Sequence, residues 1–369
     1  MGLADKLNPA LRDLPVYQPG RPLEEVAREI GSSPDQFIKL ASNENPLGPS
    51  PKAIAAMKNA ASKMNRYPDG NVFYLRKQLS EKLGLQPNNL VFGNGSNEII
   101  EFIAHALLGS GDEIVVSQYC FAIYPIVAKM MGAKVIEVPA RDFGHDLPAM
   151  LKAVTPETRI VFVANPNNPT GTIATQEEVN LLISGLPDDV LLVMDEAYIE
   201  YQENAIDLLP RIRAGEYPNL ILMRTFSKIY GLAGLRVGYG IGHLDFIGSL
   251  EKVRQPFNLN AVAQAAAMAA LHDEAHLDMS RNQNRKGSSY LKDALNRAGI
   301  RCLPTAANFI LIQTSDGAWL TEQLKQLGVI VRPMGGYGLP EWIRVTIGND
   351  EENERFHEAI CQVLNNAED

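Results

Sequence analysis

Cysteine is scarce in this chain: Cys120, Cys302 and Cys361 are the only three among 369 residues. Their odd number and their lack of metal-ligand spacing exclude a disulfide scaffold and a cysteine-built metal site, and suit a reducing cytoplasm. Excess positive charge is missing as well. A net charge of −9 and a pI near 5.3 argue against nucleic acid or a membrane surface as partner. No apolar run is long enough to span a membrane, and the start, Met1-Gly-Leu-Ala-Asp-Lys6, lacks the apolar core of a signal peptide. A cytoplasmic protein is therefore expected, and no low-complexity tract or internal repeat disturbs that picture. What the chain does have is apolar mass. Hydrophobic residues make up 46% of it, enough to bury a large core in about two domains.

The most informative stretch is Thr225-Phe-Ser-Lys-Ile-Tyr-Gly-Leu-Ala-Gly-Leu-Arg236, which follows the apolar run Leu220-Ile-Leu-Met223. It sets Lys228 between a hydroxyl and an arginine. Only a free amine condenses with an aldehyde, and neighbouring cations or loss of water lower a lysine's pKa toward that state. Arg236 is such a neighbour in sequence. Ser227 and Arg236 also offer a hydroxyl and a fork of N–H donors, which suit a phosphate ester. A phosphate-bearing aldehyde fits both halves, and pyridoxal 5'-phosphate is the cofactor with both features. A lysine beside a turn is ordinarily a solvated surface residue, so the assignment depends on the rest of the chain.

Three further strand ends supply that support. Residues 190 to 201, Val-Leu-Leu-Val-Met-Asp-Glu-Ala-Tyr-Ile-Glu-Tyr, read as a strand buried on both faces of a parallel sheet with Asp195 at its C-terminal end. Ligands of open α/β sheets gather at that edge. A carboxylate there pairs with a protonated pyridine nitrogen, and Tyr198 offers its hydroxyl to the ring oxygen; a helix cap or loop ion pair is the plainer role for Asp195. Residues 160 to 171, Ile-Val-Phe-Val-Ala-Asn-Pro-Asn-Asn-Pro-Thr-Gly, repeat the pattern. Pro166 and Pro169 stiffen the turn that presents Asn168, and a capping box at Thr175 and Glu178 begins the next helix.

At Asn89-Leu-Val-Phe-Gly-Asn-Gly-Ser-Asn-Glu98 a fourth strand runs into helical spacing at Ile99, Phe102, Ile103, Ala106 and Leu107. The backbone N–H groups of Ser96, Asn97 and Glu98 then form a helix N-terminus, a ready phosphate site. The stretch is not a dinucleotide fingerprint, because no third glycine follows at the required place.

With these four parts the chain resembles the fold type I aminotransferases of the aspartate aminotransferase superfamily. Within that superfamily, Lys39-Leu-Ala-Ser-Asn-Glu-Asn-Pro-Leu-Gly-Pro-Ser-Pro51, Asn65-Arg-Tyr-Pro-Asp-Gly70 and Val331-Arg-Pro-Met-Gly-Gly-Tyr-Gly338 resemble the histidinol-phosphate aminotransferases. The resemblance implies that Lys228 is the lysine joined to the cofactor and the proton shuttle. It implies that Asp195 pairs with the pyridine nitrogen, that Tyr198 and Asn168 hold the ring oxygen, and that Ser96, Asn97, Ser227 and Arg236 hold the phosphate. Tyr67 would reach that phosphate from a second subunit, making a homodimer with shared sites. Phe121 aligns with the aromatic that stacks on the ring, Tyr119 being a weaker candidate; Phe121 and Tyr124 also suit the core of the following helix.

Substrate contacts implied by the resemblance fall to Tyr17, Asn43, Arg332 and Arg344. The implied reaction moves an amino group between L-histidinol phosphate and 2-oxoglutarate, as a small-molecule donor and a 2-oxo acid acceptor, with no metal. An aromatic or broad-specificity aminotransferase, or an O-phosphothreonine decarboxylase, remains open on the same cofactor residues. From another class, a catalytically silent regulatory module would need an N-terminal DNA-binding segment, for which there is no room before residue 40.

The architecture expected is α/β. Strands alternate with helices from about residue 50 to about residue 250, giving a large, mainly parallel sheet domain over 46–260. A smaller α+β domain combines 1–45 with 261–369, with strands expected at 308–313 and 342–347 and a long polar helix ending near Arg297.

Overall fold

The four apolar runs singled out above all enter one seven-stranded sheet. Its strands are β1 (Leu90–Gly93), β2 (Glu113–Ser117), β3 (Lys134–Val138), β4 (Thr158–Ala164), β5 (Leu191–Asp195), β6 (Leu220–Thr225) and β7 (Gly238–Gly242). They lie in the order β1-β7-β6-β5-β4-β2-β3. Neighbours from β6 to β3 are parallel, while β7 is antiparallel to both β6 and β1. So β1 runs with β6, and β7 alone opposes the rest. These statements come from a computed structural model, which describes residues 2–7, 9–12, 14, 16 and 20–368.

Burial on both faces explains the continuous apolar runs. Along β5, Leu192 and Met194 enter one core and Leu191 and Val193 the other. Each fully buried side chain of this size contributes about 2 kcal/mol of transfer free energy. The capping box forms as read: Thr175 Oγ1 accepts from the Glu178 N–H, and Glu178 accepts from the Thr175 N–H.

Asn260 caps the helix Ala261–Leu271, its side chain accepting from the Ala263 N–H at 2.8 Å. Ala263, Ala266, Ala267 and Ala270 on that helix, and Leu277 beyond it, share the core of the large sheet. That core thus runs past the boundary expected at residue 260. Leu291 and Leu295, further along the helix Glu274–Arg297, belong to a second core. We infer that the two units divide within this helix.

The second unit is built on β8 (Phe309–Gln313), β9 (Arg332–Pro333) and β10 (Trp342–Thr346), antiparallel in the order β9-β10-β8. Ile343 and Val345 of β10 face its core. Arg344 and Thr346 therefore face the other way, toward the large sheet. The N-terminal segment joins this unit: Ile38–Lys39 pairs in parallel with Val329–Ile330, and Leu40 enters the core.

Candidate active site

Because β1, β4, β5 and β6 run the same way, their C-terminal ends share one edge of the sheet, and β7 starts from it with Gly238 paired to both Thr225 and Gly93. A cleft opens there against β9, β10 and the N-terminal segment. It is the position at which open α/β sheets bind ligands.

One end of the cleft is made of donors. The helix Ser96–Leu107 starts in it, and its N-cap, Gly95, gives no side-chain capping bond, so the first N–H groups face the cleft. Gly95 has φ +75, and a Cβ on it would stand 2.5 Å from Arg236 Nη2. A Cβ on Gly238 would stand 2.3 Å from the Ser96 nitrogen. Two glycines thus let β7 and Arg236 close on the helix start. Arg236 holds a left-handed backbone at φ 57 and donates to Ser227 Oγ at 3.4 Å and to the Ala233 carbonyl at 3.2 Å. A non-glycine residue in that conformation carries local strain that the surrounding contacts hold in place.

The opposite end carries Asp195, the one acidic side chain among the described residues that line the cleft. It is 6% exposed. One oxygen accepts the Tyr124 hydroxyl at 2.6 Å and the other the Ala197 N–H at 3.1 Å. Burial pushes its pKa up, while those two bonds and the charge of Lys228 pull it down.

Between the two ends stands Lys228. Its ammonium donates to the Ser42 carbonyl at 3.4 Å and lies 5.5 Å from the Tyr198 ring centroid. Burial, then the Arg344 charge, lowers its pKa to about 8, with Arg236 adding to the fall and Glu44 and Asp195 opposing it. A usable fraction of the amine is free at neutral pH. Burial pushes the Tyr198 phenol up to about 12, so it stays a donor. Its oxygen accepts from Asn43 Nδ2 at 3.0 Å, which leaves its own proton for another acceptor.

Asn168 accepts from Arg344 Nη1 at 2.5 Å through its side-chain oxygen, so what it offers a ligand is its amide N–H. Arg344 also donates to the Ala41 carbonyl at 2.9 Å. Arg332 stands opposite Arg344 in the β9–β10 register, and both line the cleft with Tyr337. Two guanidiniums side by side suit an anionic group on a ligand.

Residues 35–360 match the family model described as aminotransferase class I and II. The chain belongs to this family. It is 49% identical over 355 residues to histidinol-phosphate aminotransferase 1 of Nitrosococcus oceani, covering 96% of this chain and 95% of the relative. Among solved structures it is similar to a histidinol-phosphate aminotransferase from Sinorhizobium meliloti in complex with pyridoxal 5'-phosphate. That likeness has a TM-score of 0.90 and 28% identity and covers 98% of each chain. An aspartate aminotransferase from Thermus thermophilus shares the fold, with a TM-score of 0.82 at 22% identity over 97% of this chain and 99% of the other. The fold is thus the aspartate aminotransferase-like α/β fold expected from the sequence.

This class I and II aminotransferase gathers Asn43, Ser96, Asn97, Phe121, Asn168, Asp195, Tyr198, Ser227, Lys228, Arg236, Arg332 and Arg344 around one cleft. The other three residues proposed from the sequence stand apart from this group. Glu98 lies in the first turn of the same helix, where its expected part was its backbone N–H, and its carboxylate turns to the Asn94 N–H and to Asn258 Nδ2, both at 2.7 Å. Tyr67 is 82% exposed and stacks on Phe257 with centroids 4.8 Å apart. Tyr17 lies outside the described residues. Of the two aromatic candidates, Phe121 lines the cleft, whereas Tyr119 stacks on Phe143 at 6.0 Å.

The sequence reading missed Tyr124 as a partner of Asp195, since nothing links residues 71 positions apart. It also missed Asn308, whose Nδ2 donates to the Asn43 carbonyl at 2.9 Å. Among the described residues there is no group of three side chains fit to hold a metal ion, and no helix long and apolar enough to cross a membrane.

Proposed function

We propose that this aminotransferase binds pyridoxal 5'-phosphate and exchanges an amino group between L-histidinol phosphate and 2-oxoglutarate, giving imidazole acetol phosphate and L-glutamate in histidine biosynthesis. One observation carries the reading: in strand order, a single lysine of lowered pKa stands between a donor-rich cradle and a single buried carboxylate. The donor set fits the cofactor end to end, with cations and N–H groups for a phosphate and an acid for a ring nitrogen. Near-half identity along almost the whole length of a histidinol-phosphate aminotransferase supports the substrate.

Pyridoxal phosphate, when bound, supplies an aldehyde that condenses with amines and a pyridine ring that takes up electrons as the substrate's Cα proton leaves. The chain's own residues do the rest. Ser96 and Asn97, with Ser227 and Arg236, hold the phosphate. Asp195 keeps a proton on the ring nitrogen, and Tyr198 and Asn168 donate to the ring oxygen while Phe121 faces the ring. Lys228 would hold the aldehyde, and as a free amine it would move the proton at the substrate's Cα. Arg344 and Arg332 take the carboxylate of glutamate and the phosphate of histidinol phosphate in turn, so one pair of cations serves both half-reactions.

In this reading Tyr67 reaches the phosphate held by a second copy, so the active form is a homodimer, and the enzyme works in the cytoplasm. The test follows the cofactor's absorbance as L-histidinol phosphate, phenylalanine or phosphothreonine is added separately. Rapid loss of the aldehyde band with histidinol phosphate alone is expected. Equal or faster loss with phenylalanine would make the enzyme an aromatic aminotransferase instead.

A further inference from the structure

We infer that Tyr124 is a positioning residue for Asp195, holding the carboxylate in the form and direction that leave a proton on the nitrogen of a bound pyridine ring. The inference rests on the pyridoxal phosphate reading above and adds a residue to it.

Tyr124 sits in the first turn of the helix Ile123–Met130 and is 1% exposed. Its ring lies flat on Phe162 of β4, with centroids 4.5 Å apart and planes 8° apart. Phe121 meets it edge-on at 5.6 Å and 81°. The two contacts fix the ring in position and tilt, and so fix where the hydroxyl stands. Burial and the nearby Asp195 charge push the phenol well above its ordinary pKa, so Tyr124 is the donor and Asp195 the acceptor in their 2.6 Å bond. That length is typical of a hydroxyl held by an ionised oxygen.

The consequence concerns where one proton rests. A buried carboxylate is more basic than a solvated one, and burial is the leading influence on Asp195. Opposite a pyridine nitrogen, a strongly basic carboxylate takes the proton for itself and leaves the ring neutral. Two donors on Asp195, the Tyr124 hydroxyl and the Ala197 N–H, draw electron density from the carboxylate and keep the proton on the ring. Because they occupy one oxygen each, they also decide which lone pairs face the cleft.

Tyr124→Phe removes the hydroxyl while keeping the ring and its stacking on Phe162. The protein is loaded with cofactor labelled with 15N at the ring nitrogen, and the nitrogen shift is read at one neutral pH. Wild type is expected at the position of a protonated pyridine. Y124F is expected to move most of the way toward a neutral pyridine, with kcat falling about tenfold and KM little changed. In an Asp195→Asn background the ring is already neutral, so adding Y124F should move the shift no further. A Y124F shift equal to wild type would overturn the inference and leave the cofactor reading intact. So would a Y124F loss of kcat of the same size in D195N as in the parent. If the wild-type protein takes up no cofactor, the reading beneath the inference fails as well.

Discussion

Asn43 donates its side-chain N–H to the Tyr198 hydroxyl oxygen at 3.0 Å, across 155 positions of sequence. Asn43 is itself held at φ 56, its N–H donating to Thr346 Oγ1 at 2.9 Å and its carbonyl accepting from Asn308 Nδ2. One asparagine thereby ties the N-terminal segment to the end of the large sheet and to β10 of the smaller unit. Accepting from Asn43 fixes the Tyr198 hydroxyl and leaves its proton for a ligand.

Two substitutions separate the hydrogen bond from the backbone. Asn43→Gly loses the donor but tolerates the left-handed φ, whereas Asn43→Ala loses the donor and strains the chain. Both should lower kcat by roughly fivefold, from one hydrogen bond of about 1 kcal/mol. Thermal unfolding should then set Ala below Gly by about 1 kcal/mol. Equal melting points for the two variants would show that the φ of Asn43 carries no strain.

Lys228 carries a burial cost in the cofactor-free protein. Its folded pKa is about 8 against an ordinary 10.5, so below pH 8 it is charged in folded and unfolded chains alike and the fold bears the whole burial cost. Above pH 10.5 the amine is neutral in both states and the cost is gone. Lys228→Met should therefore stabilise the cofactor-free protein by about 1–2 kcal/mol at pH 7, allowing for solvent at its partly open position. The gain should shrink as pH rises through 8 toward 10.5. Urea unfolding of both proteins at pH 7 and pH 10 checks this, and a gain independent of pH would rule out the charge as its source.

Gly238→Ala tests the phosphate cradle without touching a donor side chain. The added Cβ would meet the Ser96 nitrogen at 2.3 Å and the Gly95 carbonyl carbon at 2.4 Å, both backbone atoms that cannot swing aside. Forcing them apart costs about 1–3 kcal/mol, in binding as well as in folding. Cofactor affinity should fall roughly 5- to 150-fold. Inorganic phosphate binding by the cofactor-free protein should weaken in step. A variant that keeps both affinities would place the phosphate elsewhere.

The strand ends were readable in the sequence because a buried parallel strand is a continuous apolar run, so a polar residue such as Asp195 or Lys228 just beyond it stands out. The capping box at Thr175 was readable for the same local reason. The pairings of Tyr124 with Asp195 and of Asn43 with Tyr198 were not, since each joins residues brought together only by sheet order. Strand β7 hid as well. Gly238-Tyr-Gly-Ile-Gly242 carries three glycines, a composition poor in strand propensity, and of the three Gly238 is required by close approach to the cradle backbone. The core running past residue 260 went unseen because an alanine-rich helix looks the same whichever sheet it covers.

Tyr67 decides whether the site is built by two chains. It lies outside the cleft of its own chain, 82% exposed, with its ring backed by Phe257, itself 46% exposed. A large aromatic left this open either meets a second copy or contributes little. Tyr67→Ala and Lys228→Ala, prepared separately, should each be nearly inactive. If the proposed homodimer shares its sites, unfolding and refolding an equal mixture makes mixed dimers in about half the population. Each mixed dimer then holds one site with both residues intact, so roughly a quarter of wild-type activity should return. Activity no greater than the mean of the two separate variants would mean that Tyr67 serves no neighbouring site. A monomer in sedimentation would lead to the same conclusion.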